Sequence, residues 1–136
     1  MKNKVLVYIG LLLIGIFTVS SRSFASDADT ILAELNRLNI KVAGPIEPEE
    51  DEIPVNLSGP YWGVLKGVCS QGGYDLSAYA GKKVMLVNLP IANNSDYPLP
   101  LDVIVFSCQE KIVCVYKVDK ESAPGMLPVS NPKKSE

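Results

Sequence analysis

The sequence predicts a small, single α+β domain in which N-terminal helices pack on one face of a C-terminal antiparallel β-meander. Two patterns predict this fold class: apolar residues recur at helical spacing in the first half of the chain, and runs rich in β-branched residues occupy the second half. The length of the chain is consistent with a single domain, because 136 residues suffice for one small domain and would leave two with very small cores. Helices that come first and strands that come last are typical of the α+β class.

Two helices are predicted. Residues 26–38 carry apolar side chains at i, i+1, i+4 and i+7, and Ser26 or Asp27 is placed to cap the first turn. The expected buried stripe of this helix is Ile31, Leu32, Leu35 and Leu38. Residues 60–70 form the second helix, which begins with a proline and is followed by two glycines that can end it.

Three strands are predicted after the helices, at residues 84–89, 101–108 and 112–118. The near-continuous apolar run 103–106 indicates a strand that is at least partly covered on both faces. Residues 109–111 join the last two strands in a hairpin. Because these residues include neither Gly nor Asn, we expect a loop of roughly three to five residues.

An acidic run lies between the two helices. Residues 47–52 are acidic except for Pro48, and like charges beside a proline favour a solvated connection. Residues 53–57 alternate weakly and are predicted as a short strand. The run lacks the ligand spacing and the bend glycine of a calcium loop, so metal binding is not expected there.

The first 25 residues have the three parts of a secretory signal peptide. Lys2 and Lys4 give a positive start, residues 5–19 are uncharged and mostly apolar, and residues 23–25 end in a small-x-small pattern. We expect cleavage after Ala25, with an uncleaved anchor over residues 5–21 as the alternative. Either places the protein outside the cytoplasm, secreted or at the cell surface. The domain then spans 26–129, and 130–136 is predicted to be a disordered tail.

Composition excludes several classes of function. The chain has no His, so His-dependent triads and His metal sites are excluded, and no cofactor is indicated. The first 25 residues carry three basic and no acidic residues, so the remainder has a formal charge of −5 instead of the −2 of the whole chain. An acidic domain is a poor nucleic-acid binder. Contact with a membrane is expected only through an uncleaved N-terminal segment.

The chain contains three cysteines, an odd number for an exported protein. One disulfide with a leftover thiol, or three buried free thiols, both fit this count. Cys108 and Cys114 are the candidate pair, and they can face each other across the hairpin only if its loop is odd-numbered and centred on Lys111. With Cys69 they do not make a zinc site, which needs four good ligands.

Polar residues gather in the segment Gly73-Tyr74-Asp75-Leu76-Ser77-Ala78-Tyr79-Ala80-Gly81-Lys82-Lys83-Val84. We expect Asp75 to cap a one-turn helix that ends at Gly81 through a positive φ. Ser77 and Lys82 are not expected to act as a nucleophile pair, because nothing orients either group.

This segment resembles the most recognisable stretch of a bacterial family catalogued as domain of unknown function 4830, where a Gly-aromatic-Asp-Leu-Ser-x-Tyr-x-Gly-Lys run follows a helix and precedes a strand. The upstream run Pro45-Ile46-Glu47-Pro48-Glu49 and the later Ile53-Pro54 are also similar, and the likeness extends over about residues 31–118. The resemblance implies a Gram-positive protein with a signal or anchor segment, and it assigns no activity.

The sequence favours a non-catalytic, envelope-associated binding domain, because no acid, base and nucleophile converge in any motif. Tyr61, Trp62 and Tyr97 are the candidate binding residues, as aromatic side chains suit contact with an envelope or extracellular protein or a glycan. One alternative is a secreted inhibitor that presents residues 109–111 to an extracellular enzyme. Another is a small hydrolase that uses two carboxylates, for example Asp75 with Asp102.

Overall fold

A computed structural model describes residues 21–93, 100–121 and 125–130. The elements, in chain order, are α1 (Ser21–Arg37), β1 (Glu49–Glu52), α2 (Pro60–Gln71), a short 3-10 helix (Leu76–Tyr79), β2 (Lys83–Pro90), β3 (Leu101–Cys108), β4 (Lys111–Asp119) and β5 (Met126–Pro128). The strands form one sheet in the order β1-β2-β3-β4-β5, and every neighbouring pair is antiparallel. The predicted α+β class, with helices packed against an antiparallel meander, is confirmed.

The two helices lie on opposite faces of this sheet, whereas the sequence led us to expect them on one. Successive side chains of β3 alternate between faces: Val103 and Val105 pack in a core with residues of α1, and Phe106 packs in a second core with residues of α2. The prediction that the run 103–106 is covered on both faces is confirmed. The chain changes face around the β1 edge, since Ile46 belongs to the α1 side and Ile53 to the α2 side.

The acidic run supplies an edge strand. Residues 49–52 pair with residues 83–86 of β2 and remain exposed, and Lys83 Nζ lies 3.3 Å from a carboxylate oxygen of Glu50. The segment that we expected to be a solvated connection thus forms a strand, which is hydrogen-bonded to β2 along one side. The short strand predicted at 53–57 is absent, because Ile53 turns inward as a fully buried core residue. Charged residues on an edge strand oppose pairing with another sheet.

The hairpin between β3 and β4 is tighter than predicted. Its loop has two residues, Gln109 and Glu110, with φ angles of 49° and 65°. Two successive positive φ angles are typical of a type I′ turn, which usually needs Asn or Gly. Val113 is an extra, unpaired residue of β4 between the pairs Ser107–Ile112 and Phe106–Cys114, so β4 carries a bulge.

Asp27 fastens this turn to α1. Its carboxylate Oδ1 accepts hydrogen bonds from Ser107 Oγ at 3.1 Å and from the Glu110 amide at 3.3 Å, and the residue is only 6% exposed. We expected Asp27 or Ser26 to cap the first helix at its start. In the folded chain the helical backbone already includes residues 21–25, and Asp27 bonds to the hairpin instead.

The disulfide joins Cys69 of α2 to Cys114 of β4, and Cys108 is free. The candidate pair Cys108–Cys114 was therefore the wrong pair. The physical reason is the even, two-residue loop, which places Cys108 opposite Lys111 and Cys114 opposite Phe106. Both bonded cysteines are fully buried, so the bond fastens α2 to the sheet from within the core.

The predicted signal segment and tail lie mostly outside the described residues, which begin at position 21 and end at position 130. Within the described part of the chain, no helix is long and apolar enough to cross a membrane.

The Cys69–Cys114 bond should contribute a large share of the stability. It links residues 45 positions apart, and the loss of chain entropy in the unfolded state predicts a contribution of about 4 kcal/mol. We expect reduction to lower the free energy of unfolding by about this amount in urea titrations of the Cys108→Ser variant, where no third thiol can exchange. Alkylation of the wild-type chain should modify one thiol before reduction and all three afterwards. Three reactive thiols before reduction would contradict the bond.

Glu110→Gly should stabilise the protein by about 1 kcal/mol, because a left-handed backbone is costly for a residue with a Cβ atom and free for glycine. Glu110→Ala is the matched control, since it removes the same charge but keeps the Cβ atom. Thermal and urea unfolding of both variants measure the difference. Equal stability of the two variants would show that the turn carries no such strain.

Candidate binding groove

An open groove with a volume of about 610 Å³ lies beside α1. One wall is the outer face of α1 and the other is the segment 40–46 that follows it. Most of its lining is apolar. The lining residues are Ala28, Asp29, Leu32, Asn36, Ile40, Lys41, Val42, Gly44 and Ile46.

The helical wall follows from the spacing of α1. Ile31 and Leu35 are fully buried against the sheet. Ala28, Leu32 and Asn36 are each four residues apart, so they form a second stripe on a different side of the helix. Leu32 is 45% exposed at the middle of this stripe. The expectation that Leu32 belongs to the buried stripe was wrong, because the sheet covers only a narrow side of the helix.

The second wall is held by backbone bonds. The chain reverses at Asn39, which has a φ of 57°, and the Ile40 amide donates to the Leu35 carbonyl at 2.9 Å. Val42 then forms an isolated bridge with Ile91 at the end of β2. The side chain of Asn93 accepts from the Lys41 amide and donates to the Asn39 carbonyl. The wall is therefore fixed to the sheet.

A clamp holds the C-terminal half of α1. The Tyr74 hydroxyl donates to Glu34 Oε1 at 2.6 Å, and both carboxylate oxygens of Glu34 accept from the Arg37 guanidinium. This bond to Glu34 raises the pKa of Arg37, and burial followed by the bond to Glu34 raises the pKa of Tyr74. Tyr74 packs against both cores, so it joins α1 to the end of α2.

The polar groups of the groove do not form a reactive centre. Asp29 and Lys41 are exposed near opposite ends, and Asn36 is the other polar lining side chain. General acid–base or nucleophilic chemistry needs such groups within hydrogen-bond reach of one reacting atom. The groove offers an apolar contact surface with a charge near each end.

The aromatic candidates are only partly brought together. Tyr61 and Trp62 are in edge-to-face contact, with ring centroids 5.3 Å apart. Tyr61 is 50% exposed, whereas Trp62 is half-buried against the α2-side core. Tyr61 also lies beside the buried Tyr116 and helps to raise the pKa of its phenol, so part of its role is structural. Tyr97 lies outside the described residues.

The carboxylate candidates have separate partners. Asp75 is exposed and accepts a hydrogen bond from the Ser77 amide at 3.1 Å, which caps the 3-10 helix as predicted. Gly81 ends that turn with a φ of 77°. Asp102 is 7% exposed and lies 2.8 Å from Lys120 Nζ. Nothing in the described structure pairs the two carboxylates as acid and base.

Within residues 21–93, 100–121 and 125–130, no three Cys, Asp or Glu side chains are arranged to hold a metal ion. Comparison of the chain with protein-family models, curated proteins and solved structures gives no match. The resemblance of residues 73–84 to the family named above therefore stays a prediction.

Stability should fall at high pH because of Tyr116, which is 1% exposed. Burial raises the pKa of its phenol, with the Tyr61 hydrogen bond adding to the effect. The native state thus keeps a proton that the unfolded state releases above its pKa of about 10. The stabilising effect is complete below this pH and is lost as pH rises toward the native pKa. We expect a decline of about 1.4 kcal/mol per pH unit from this group above pH 10.

Urea titrations from pH 6 to 11 measure this dependence. Tyr116→Phe should flatten the decline above pH 10 and leave the profile between pH 6 and 9 parallel to that of the wild type. An unchanged decline in the variant would assign the effect to other groups.

Proposed function

We propose that this chain is an exported bacterial protein whose domain is a non-catalytic interaction module of the cell envelope, and that it binds its partner along the α1 groove. The observation that carries the proposal is the groove itself, an open, mostly apolar channel with exposed Leu32 at its centre. Exposed apolar surface bordered by charge is typical of contact sites. Enzyme pockets instead gather convergent polar groups.

Export is supported from two directions. The N-terminal segment has the pattern of a signal peptide or anchor. The Cys69–Cys114 bond adds support, because disulfides persist in oxidising compartments and are rare in the cytosol. Secretion and attachment at the cell surface are both compatible with these features.

The partner class follows from the lining. Aliphatic side chains such as Leu32, Ile40 and Ile46 suit the apolar face of a polypeptide. A glycan would suit the exposed aromatic ring of Tyr61 better. We therefore propose a protein partner for the groove.

The inhibitor alternative has less support. Presentation of residues 109–111 needs a rigid tip, and the hydrogen bonds that Ser107 and the Glu110 amide donate to Asp27 do provide rigidity. The two-residue turn, however, exposes too little surface for a stable interface, which buries about 800 Å² per partner. The hydrolase alternative has less support still, because Asp75 and Asp102 have separate partners.

We also propose membership of the family of domain of unknown function 4830. In this chain the pattern has a structural role, since Asp75 caps the short helix and Leu76 is buried beneath it. The pattern therefore encodes a fold element between α2 and β2.

Photo-crosslinking in intact cells tests the proposed function. A benzophenone amino acid at position 32 should give adducts with a protein partner, because Leu32 is central in the groove. The same probe at Val55, which is 82% exposed and outside the groove, is the matched control. Adducts from position 32 and not from position 55 would support the groove as the partner-binding site. Equal yields, or none from 32, would refute it.

A further inference from the structure

The geometry points to a second copy of this chain as the occupant of the α1 groove, in an antiparallel α1-to-α1 contact about a two-fold axis near Leu32. This inference rests on the proposed function and names its partner. A two-fold contact uses the same patch on both copies, so the patch must complement itself when it is turned end to end.

The charges of the groove meet this condition. Asp29 lies near the beginning of the groove wall, and Lys41 lies near its other end, beside the last turn of α1 where Ile40 bonds to Leu35. The helical wall of the groove from Asp29 to Asn36 spans seven residues, which is about 10 Å along the helix axis. An antiparallel second copy would place its Lys41 beside Asp29 and its Asp29 beside Lys41.

Both charges are available for such pairs. Within the described residues, neither the Asp29 carboxylate nor the Lys41 ammonium has an ion-pair partner, although three ion pairs form elsewhere. Both residues are exposed. Opposite charges placed in this way fix the register and orientation of a contact.

The apolar centre also fits a two-fold axis. Leu32 lies about one helical turn after Asp29 and one turn before Asn36, so an axis near it would bring the two Leu32 side chains together. Of the exposed large apolar side chains in the described part of the chain, Leu32 is the one on α1. Small residues at Ala28 and Gly44 leave room for a second helix at the rim.

Self-association through the β1 edge of the sheet is a competing arrangement, and charge opposes it. All four residues of β1 are acidic and exposed, so two β1 edges would repel each other. The groove carries no such penalty, because each acid meets a base.

The test is the mass of the purified full-length chain by light scattering over a range of concentrations, with any detergent contribution subtracted. We expect a dimer that Asp29→Lys and Lys41→Asp each weaken by about tenfold in dissociation constant. The double variant, with both charges exchanged, should restore the dimer. Leu32→Asp should abolish it, and Val55→Asp, equally polar but outside the groove, should not. Circular dichroism checks that each variant is folded.

Two results would overturn the inference. A wild-type chain that stays monomeric at about 100 μM has no such contact, and crosslinks from position 32 to a different protein would then leave the proposed function standing. A dimer whose dissociation constant is unchanged in Asp29→Lys, Lys41→Asp and Leu32→Asp must form through another surface, for example the N-terminal apolar segment. If the chain forms no dimer and position 32 gives no crosslinks, the proposal that the α1 groove is a binding site is refuted.

Discussion

The central hairpin of β3 and β4 is the constraint on which the other elements depend, because both of its faces are buried. Apolar side chains point alternately to α1 and to α2, so each helix requires the same two strands for its core. Two further links converge on this hairpin. Asp27 of α1 binds its turn, and Cys114 on β4 is bonded to Cys69 of α2. Loss of the hairpin would leave both helices without a surface to pack on, and the bulge at Val113 keeps Cys114 on the α2 side.

The position of α1 gives the groove its rigidity. Near its beginning the helix is fastened through Asp27, and near its end through the clamp of Glu34, Arg37 and Tyr74. The opposite wall is bonded to the end of β2 by Val42. A surface whose two walls are already fixed loses little conformational entropy when a partner binds, which favours affinity. The same bonds explain why Leu32 remains exposed: the helix cannot rotate to bury it without breaking the contacts at both ends.

Charge discourages contact at the β1 edge of the sheet. β1 presents four acidic side chains there, and one of them pairs with Lys83. Exposed backbone groups of an edge strand otherwise attract other strands. The acidic run is thus a structural device, which explains its composition without a metal or a solvated linker.

Local sequence patterns were enough to predict the fold class and most of the helices and strands. The bounds of β3, the α2 helix, and the Asp75 cap followed from periodicity and turn chemistry, which are local properties. Tertiary structure decided what depends on distant residues. The two-residue turn, which local propensity disfavours and Asp27 helps to hold, takes Cys108 out of register with Cys114. The packing of α2 on the sheet then brings Cys69 to Cys114. The groove was also beyond prediction, since its second wall is a loop whose position depends on the sheet. Periodicity shows which side chains are apolar, and only packing decides which of them stay exposed.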